Sequence, residues 1–463
     1  MRIERDSMGE MSVPDGMLYG ASTQRAVLNF PISGRPMPAA FIQGLGLVKG
    51  ACATANQELG RLSARKAALI RRAAGEVAAG SLLAHFPVDI FQTGSGTSTN
   101  TNANEVIAHR AAQLGTRGRV RPRIHPNDEV NLGQSSNDVI PTALHVSVAV
   151  ALRGQLEPAL ERLHDALAAK ARSFRTLVKI GRTHLMDATP LTLGQEFSGY
   201  AAQVRKGIGR TRRATAVLSE LAIGGTAVGT GLNTHPDFAR RVCRILARET
   251  GLPFVEAANH FEAQGARDDA VEVAGHLTTL AASLTKIASD IRLLGSGPRS
   301  GLGELRLPAT QPGSSIMPGK VNPVMSEMLI QVCIYTQGLC QTVALAGRDG
   351  HFELNVTLPI IIYALHDAIH CLAQAATTFA ERCVAGIEAD EARCRELVGR
   401  SLMLVTALTP HLGYDAAAAV AKEALATGRT LSEVVLARKL LDPATLRRAL
   451  NPRGMIHPQA LGR

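Results

Sequence analysis

Two hydroxyls, a lysine and an asparagine share one glycine-flanked loop, Gly313-Ser314-Ser315-Ile316-Met317-Pro318-Gly319-Lys320-Val321-Asn322-Pro323. Asn322 suits a helix N-cap, and Pro323 suits the first helical position, where its missing N–H costs nothing. The loop is therefore expected to run straight into a helix. Hydroxyls and a fixed cation beside a helix N-terminus form a seat for an anion. A nucleotide loop is excluded. A P-loop has four residues between its glycine and Gly-Lys, then Ser or Thr. Here five residues intervene, Ser314 to Pro318, and Val321 follows the lysine.

Two further stretches are dense in small polar groups. The first, Thr93-Gly94-Ser95-Gly96-Thr97-Ser98-Thr99-Asn100, enters a helix near Asn102 and Glu105, which have capping-box spacing. It continues in His125-Pro126-Asn127-Asp128 and Gln134-Ser135-Ser136-Asn137-Asp138. The second is Gly181-Arg182-Thr183-His184-Leu185-Met186-Asp187-Ala188-Thr189-Pro190. One such run alone reads as a loop or cap. Three, each opening or closing a long helical pattern, point to a shared site.

The positioning elements are helices. Leu277, Leu280, Leu284, Ile287, Ile291 and Leu294 are spaced three, four, three, four, three, a heptad seam within 271–294. A similar seam is read after Pro323 through Met325, Met328, Val332, Tyr335 and Leu339. Long helical patterns also run through 139–170, 193–221 and 359–383. No strands alternate with helices, so a doubly wound sheet is not expected. The chain reads as mainly all-α, with a bundle at its centre and shorter helices on both flanks.

Composition narrows the class. A chain of 463 residues with 46% hydrophobic and 19% charged residues is a globular protein with a large core. The opening Met1-Arg2-Ile3-Glu4-Arg5-Asp6 has no signal-peptide core, and no uncharged apolar run looks long enough to span a bilayer. The expected location is cytoplasmic, with no membrane partner. Seven cysteines form no C-x-x-C pair, which fits reduced thiols. Cys333 and Cys340 fall on one helix face as small core residues. The net charge of +11 gathers at Arg117, Arg119, Arg121 and Arg123 and around Arg205, Lys206, Arg210, Arg212 and Arg213. With no tryptophan and 3% aromatics, stacking platforms for nucleic acid are missing. A solvated basic surface that steers an anionic substrate is the better reading. His366 and His370, four apart with Asp367 beside them, lack the H-E-x-x-H pattern and read as packed or exposed residues rather than zinc ligands.

The loop at 313–323 resembles the signature of the fumarase/aspartase superfamily, and within it the class II fumarate hydratase branch. The resemblance runs from Arg2-Ile3-Glu4-Arg5-Asp6-Ser7-Met8-Gly9 to the C-terminal segment. It implies a three-domain fold: an N-terminal lyase domain over 1–134, a central helical bundle over 135–391 and a small C-terminal helical domain over 392–463. It also implies a homotetramer with shared active sites, a dicarboxylate substrate (fumarate or L-malate) and no cofactor. Ser314 matches the family's catalytic base for a carbon-bound proton, and His184 the histidine that handles the hydroxyl through water, with Glu327 its carboxylate partner. Ser95, Thr97, Ser135, Ser136, Asn137, Thr183, Lys320 and Asn322 match substrate-binding positions. His125, Asn127 and Asp128 match a secondary dicarboxylate site. These residue types suit the chemistry: proton removal beside a carboxylate creates a dianionic aci-carboxylate, which needs many donors and one cation around it. Serine is too weak a base unless neighbouring N–H groups and charge help it ionise.

Thr183-His184, Pro318-Gly319-Lys320 and Ser135-Ser136-Asn137 depart from the Thr-Gln, Pro-Ala-Lys and Ser-Thr-Asn of the aspartase branch, and so favour hydration over deamination. The hydratase pattern is itself altered at Ser81–Pro87, Thr101, Leu132-Gly133 and Arg348-Asp349, and Gly350-His351-Phe352-Glu353-Leu354-Asn355 stands for Gly-Asn-Phe-Glu-Leu-Asn. None of these removes a proposed catalytic group. Aspartate ammonia-lyase, a lyase for another succinate derivative and a scaffold without turnover are the alternatives.

Overall fold

A computed structural model describes residues 1–116 and 122–458; Arg117, Arg119 and Arg121 of the basic run lie outside the described residues. The chain is mainly α-helical, and among the described residues its sheets are two-stranded pairings only. It divides into two compact units, the first comprising Met1–Ala159, Gly207–Ala282 and Gln331–Gln374, the second Leu160–Lys206, Ser283–Ile330 and Ala375–Arg463. Every boundary between them falls inside a long helix, not in a linker.

In the first unit the helix Ala39–Glu58 packs on Ala64–Ala78, Ser136–Ala151 and Phe238–Thr250. The expected capping box at Asn102 and Glu105 is not one, because the helix already starts at Thr97. The Glu105 carboxylate instead accepts from Gly20 N at 2.7 Å, Ser22 N at 3.1 Å and Thr23 N at 3.2 Å. It therefore satisfies the free N–H groups that open the remote helix Ala21–Asn29.

In the second unit the strands Val178–Thr183 and Met186–Thr192 pair as an antiparallel hairpin, with a register shift between Ile180 and Arg182. Thr192 and Gln195 cap the helix Leu193–Val217 reciprocally, with Thr192 N to Gln195 Oε1 at 2.8 Å and Gln195 N to Thr192 Oγ1 at 3.0 Å. A separate small core of Val398, Leu408, Val420, Val434 and Leu446 closes on Ile180 of the hairpin.

The seam in Asp268–Leu294 is buried at every predicted position. The seam in Val324–Gly347 is not: the chain buries Ser326, Leu329, Cys333, Thr336, Cys340 and Val343, and leaves Tyr335 45% exposed on the predicted face. The helix is apolar on both faces, so periodicity could not say which one the chain itself covers. Cys333 and Cys340 do share the buried face. Helices Ser136–Ser173, Val324–Gly347 and Leu358–Gly386 are, by length and composition, long and apolar enough to cross a membrane, contrary to the sequence reading. Their apolar windows are 78%, 28% and 67% buried within the protein, so the first and third have a packing reason for their composition.

Candidate active site

The first unit brings the separated runs of one polar stretch, 93–100 and 134–138, together. Gly96, with φ 73°, opens the helix Thr97–Leu114, and the Ser95 and Thr97 hydroxyls hydrogen-bond each other at 2.8 Å. Gly94 is required by a close approach: a Cβ there would lie 1.6 Å from the Val356 carbonyl oxygen. Leu358 N donates to Gly94 O at 3.0 Å, which pins this loop. Ser135 caps the helix Ser136–Ala151 in a capping box, its hydroxyl accepting from Asn137 N at 3.2 Å while Asp138 accepts from Ser135 N at 2.9 Å. Asn100 Nδ2 donates to Ser136 Oγ at 3.1 Å, joining one helix N-terminus to the other. Asn137 Nδ2 donates to Ala227 O at 2.8 Å. Burial pushes the Asp138 carboxyl up to about 6, although N–H groups of Ser135, Thr226 and Gly224 bind it.

His125 caps a single turn of π-helix, Pro126–Val130. Its Nδ1 accepts from Asn127 N at 3.3 Å and Asp128 N at 3.0 Å. These three residues are thus together, in a turn whose internal bonds account for its shape.

In the second unit, His184 sits at the exposed tip of the hairpin beside Thr183. His184 and Leu185 have φ of 55° and 59°, the left-handed pair that a tight hairpin needs and that Asn-Gly normally supplies. The tip is carried by a buried charge cluster. Glu304, with no exposed surface, takes both Nη1 and Nη2 of Arg182 at 2.9 and 3.1 Å. Lys179 Nζ lies 3.3 Å from Glu304 Oε2 and 3.1 Å from Glu196 Oε1. Burial raises the Glu196 carboxyl, with Lys179 opposing.

The Ser314 loop is closed at its neck by Gly313 N to Lys320 O at 2.8 Å and Asn322 Nδ2 to Gly313 O at 2.6 Å. Asn322 is therefore the clasp of the loop, not the N-cap. The first helical bond, Glu327 N to Pro323 O, places Pro323 one position earlier than expected, with the helix beginning at Val324. Ser314 Oγ accepts from Ile316 N at 3.2 Å and Met317 N at 3.0 Å. The loop presents Ile316, Met317 and Lys320 outward. Among the described residues, no hydrogen bond joins His184 to Glu327 or to Ser314 within the chain.

Sequence reading missed Lys49, Asn131 and the loop Gly224–Ala227, which in the first unit bond to Asn100, Gln134, Asn137 and Asp138. Lys49 did carry a signal, a lysine on the apolar stripe of Leu45 and Cys52. His366 is buried, bonded through Nε2 to Ser147 Oγ at 2.8 Å, and pushed down to about 4 by burial. No group of three or more His, Cys, Asp or Glu among the described residues could hold a metal ion. All seven cysteines are free thiols.

A family model described as "Lyase" matches residues 9–338, and one described as "Fumarase C C-terminus" matches 404–457. The chain is 52% identical over 459 residues to fumarate hydratase class II 2 of Bradyrhizobium diazoefficiens, covering 99% of this chain and 97% of the relative. It is 50% identical over 462 residues to the mitochondrial fumarate hydratase of Mus musculus, covering 99% and 91%. A crystal structure of class II fumarase from Schistosoma mansoni superposes with a TM-score of 0.96 at 38% identity, covering 99% and 100%. These likenesses define a lyase of the fumarase/aspartase superfamily. Within that class the chain belongs to the class II fumarate hydratases, which are hydro-lyases.

Proposed function

We propose that this chain catalyses the reversible hydration of fumarate to L-malate, by anti addition and elimination of water, with no metal. The observation that carries the reading is the Ser314 turn. Two loop N–H groups already point at Ser314 Oγ, so negative charge on that oxygen is stabilised before substrate arrives. In the malate-to-fumarate direction, ionised Ser314 takes the proton from the carbon beside one carboxylate. The electron pair moves into that carboxylate as an aci-carboxylate, whose charge Lys320 and Asn322 offset. Collapse of the pair forms the C=C bond and expels the hydroxyl from the neighbouring carbon. His184 supplies the leaving proton through a water, and Glu327 orients the imidazole. Ser95, Thr97, Ser135, Ser136, Asn137 and Thr183 donate to the carboxylates, holding proton and hydroxyl on opposite sides. His125, Asn127 and Asp128 form a secondary dicarboxylate site.

Since one chain leaves His184, Glu327 and Ser314 unjoined, the complete site is proposed to form in a homotetramer with shared active sites. The apolar outward face of Val324–Gly347, where Ile334 is 65% and Leu345 46% exposed, supports packing on another copy. The three-domain division at 134 and 391 and a cytoplasmic location go with this reading. Ser314→Ala tests it: turnover is expected to fall at least a thousandfold with fold and assembly intact. Near-normal turnover removes Ser314 from the base role.

A further inference from the structure

Lys49 lies in the helix Ala39–Glu58 on the stripe formed by Phe41, Leu45, Val48 and Cys52, with no exposed surface. A buried ammonium is costly and is normally held by a carboxylate. Here, among the described residues, no carboxylate lies within ion-pair distance. Nζ donates instead to two neutral amide oxygens, Asn131 Oδ1 at 2.8 Å and Gln134 Oε1 at 3.0 Å. The nearby Asp138 carboxylate is occupied by the N–H groups of Ser135, Gly224 and Thr226.

The acceptors lead to the candidate substrate seat. Asn131 Oδ1 also receives Asn100 Nδ2 at 3.2 Å, and the same Nδ2 donates to Ser136 Oγ at 3.1 Å. Asn131 Nδ2 donates to Gln134 O at 3.1 Å, next to Ser135. Each amide could in principle present either end, but lysine has donors and no acceptor when charged. Lys49, together with the Gln134 carbonyl on Asn131 Nδ2, therefore makes Asn131 present oxygen to Asn100, which makes Asn100 present its NH2 and Ser136 accept. The Ser136 hydroxyl proton is then left for a ligand.

We propose that Lys49 is a positioning residue for dicarboxylate binding, setting through Asn131 and Asn100 the direction of the Ser136 hydroxyl so that it donates to a substrate carboxylate. This rests on the hydratase reading above. Burial pulls the Lys49 pKa down to about 7, against the pull of Cys52 and Asp138. The neutral amine keeps two N–H donors for its two acceptors but gains a lone pair, so it permits this direction without enforcing it, and the bond from Asn131 Nδ2 to Gln134 O then holds it.

The test is a double-mutant cycle with L-malate as the probe, following fumarate absorbance. Lys49→Met removes the cation from Asn131 Oδ1 and leaves the bond to Gln134 O as the remaining hold on that amide. Asn100 and Ser136 then lose part of their fixed direction, and KM is expected to rise about tenfold with kcat within about twofold, the effect of one lost hydrogen bond. In a Ser136→Ala background the same change is expected to alter KM less than about twofold, since the hydroxyl it directs is gone. An unchanged KM in a folded Lys49→Met enzyme overturns the proposal. So does an equal penalty in both backgrounds, which is what a merely structural lysine gives. Lys49→Gln, which keeps hydrogen bonding but can present either end, carries the same cycle if Lys49→Met does not fold. If wild type itself turns over no malate, the hydratase reading fails; normal wild-type turnover with an additive cycle sinks only the role of Lys49.

Discussion

Removing the charge of Glu304 should loosen the hairpin that carries His184. Glu304 is unexposed and is shared by Arg182, through paired bonds of 2.9 and 3.1 Å, and by Lys179 at 3.3 Å. Lys179 is itself 1% exposed, and its remaining carboxylate is Glu196 at 3.1 Å. Glu304→Gln keeps the shape and one acceptor but leaves Arg182 without a carboxylate and Lys179 with Glu196 alone. Breaking a buried pair from one side costs about 3–5 kcal/mol. In a unit of this size each kcal/mol is about 2–4 °C, so the transition of the second unit should fall by about 6–20 °C in a calorimetric scan. The hairpin should suffer first, because the left-handed backbone at His184 and Leu185 costs about 1–3 kcal/mol per residue and persists only where its surroundings fix it. Replacing both partners, as Arg182→Met with Glu304→Leu, should be milder than the single change, since no charge is stranded. Arg306→Ala is the control. Its pairs with Glu388 and Asp390 each span 3.6 Å from a side chain 62% exposed, and the scan should barely move. A Glu304→Gln transition within about 2 °C of wild type would refute the assignment of that cluster as the hairpin's anchor.

Other consequences are local. Burial pushes the Glu157 carboxyl up, but Arg153 at 2.7 Å and Arg212 at 2.6 Å hold it below its ordinary value. A depressed folded pKa adds stability above the unfolded value and loses it as pH falls through the folded one. Glu157→Gln should therefore cost about 1 kcal/mol in urea unfolding at pH 7, with the gap closing below about pH 4; a gap independent of pH would contradict the pairing. Gly94→Ala places a methyl where the Val356 carbonyl sits, so about 1–3 kcal/mol should be lost, with a raised KM as Ser95 and Thr97 shift; wild-type unfolding and KM would mean the loops separate freely. Lys320→Met should lower kcat/KM for L-malate at least a hundredfold, through both kcat and KM, as for loss of an oxyanion donor; an effect on KM alone would place Lys320 in ground-state binding only.

What was legible follows from which patterns admit one solution. The seam Leu277 to Leu294 is buried as read, because polar residues fill its other face and leave a single way to pack. The same spacing after Pro323 named the wrong face, since Cys333, Thr336 and Cys340 pack inside while larger apolar residues stay outside. The hairpin at Val178–Thr192 was hidden because its strands carry Lys179 and Arg182 inward and its turn has no glycine or asparagine. Both features make sense only once Glu304, remote in sequence, is placed. The polar motifs gave the residue types of the site directly. Their supports, Lys49 and Asn131 under Ser136, depend on contacts between distant segments that no local pattern encodes.

The most direct measurement follows the ultraviolet absorbance of fumarate after mixing purified protein with L-malate and, separately, with L-aspartate. Absorbance is expected to rise with L-malate alone. A rise with L-aspartate alone would contradict the assignment of His184 and Lys320 to hydration, and silence with both from folded protein would contradict hydratase function itself.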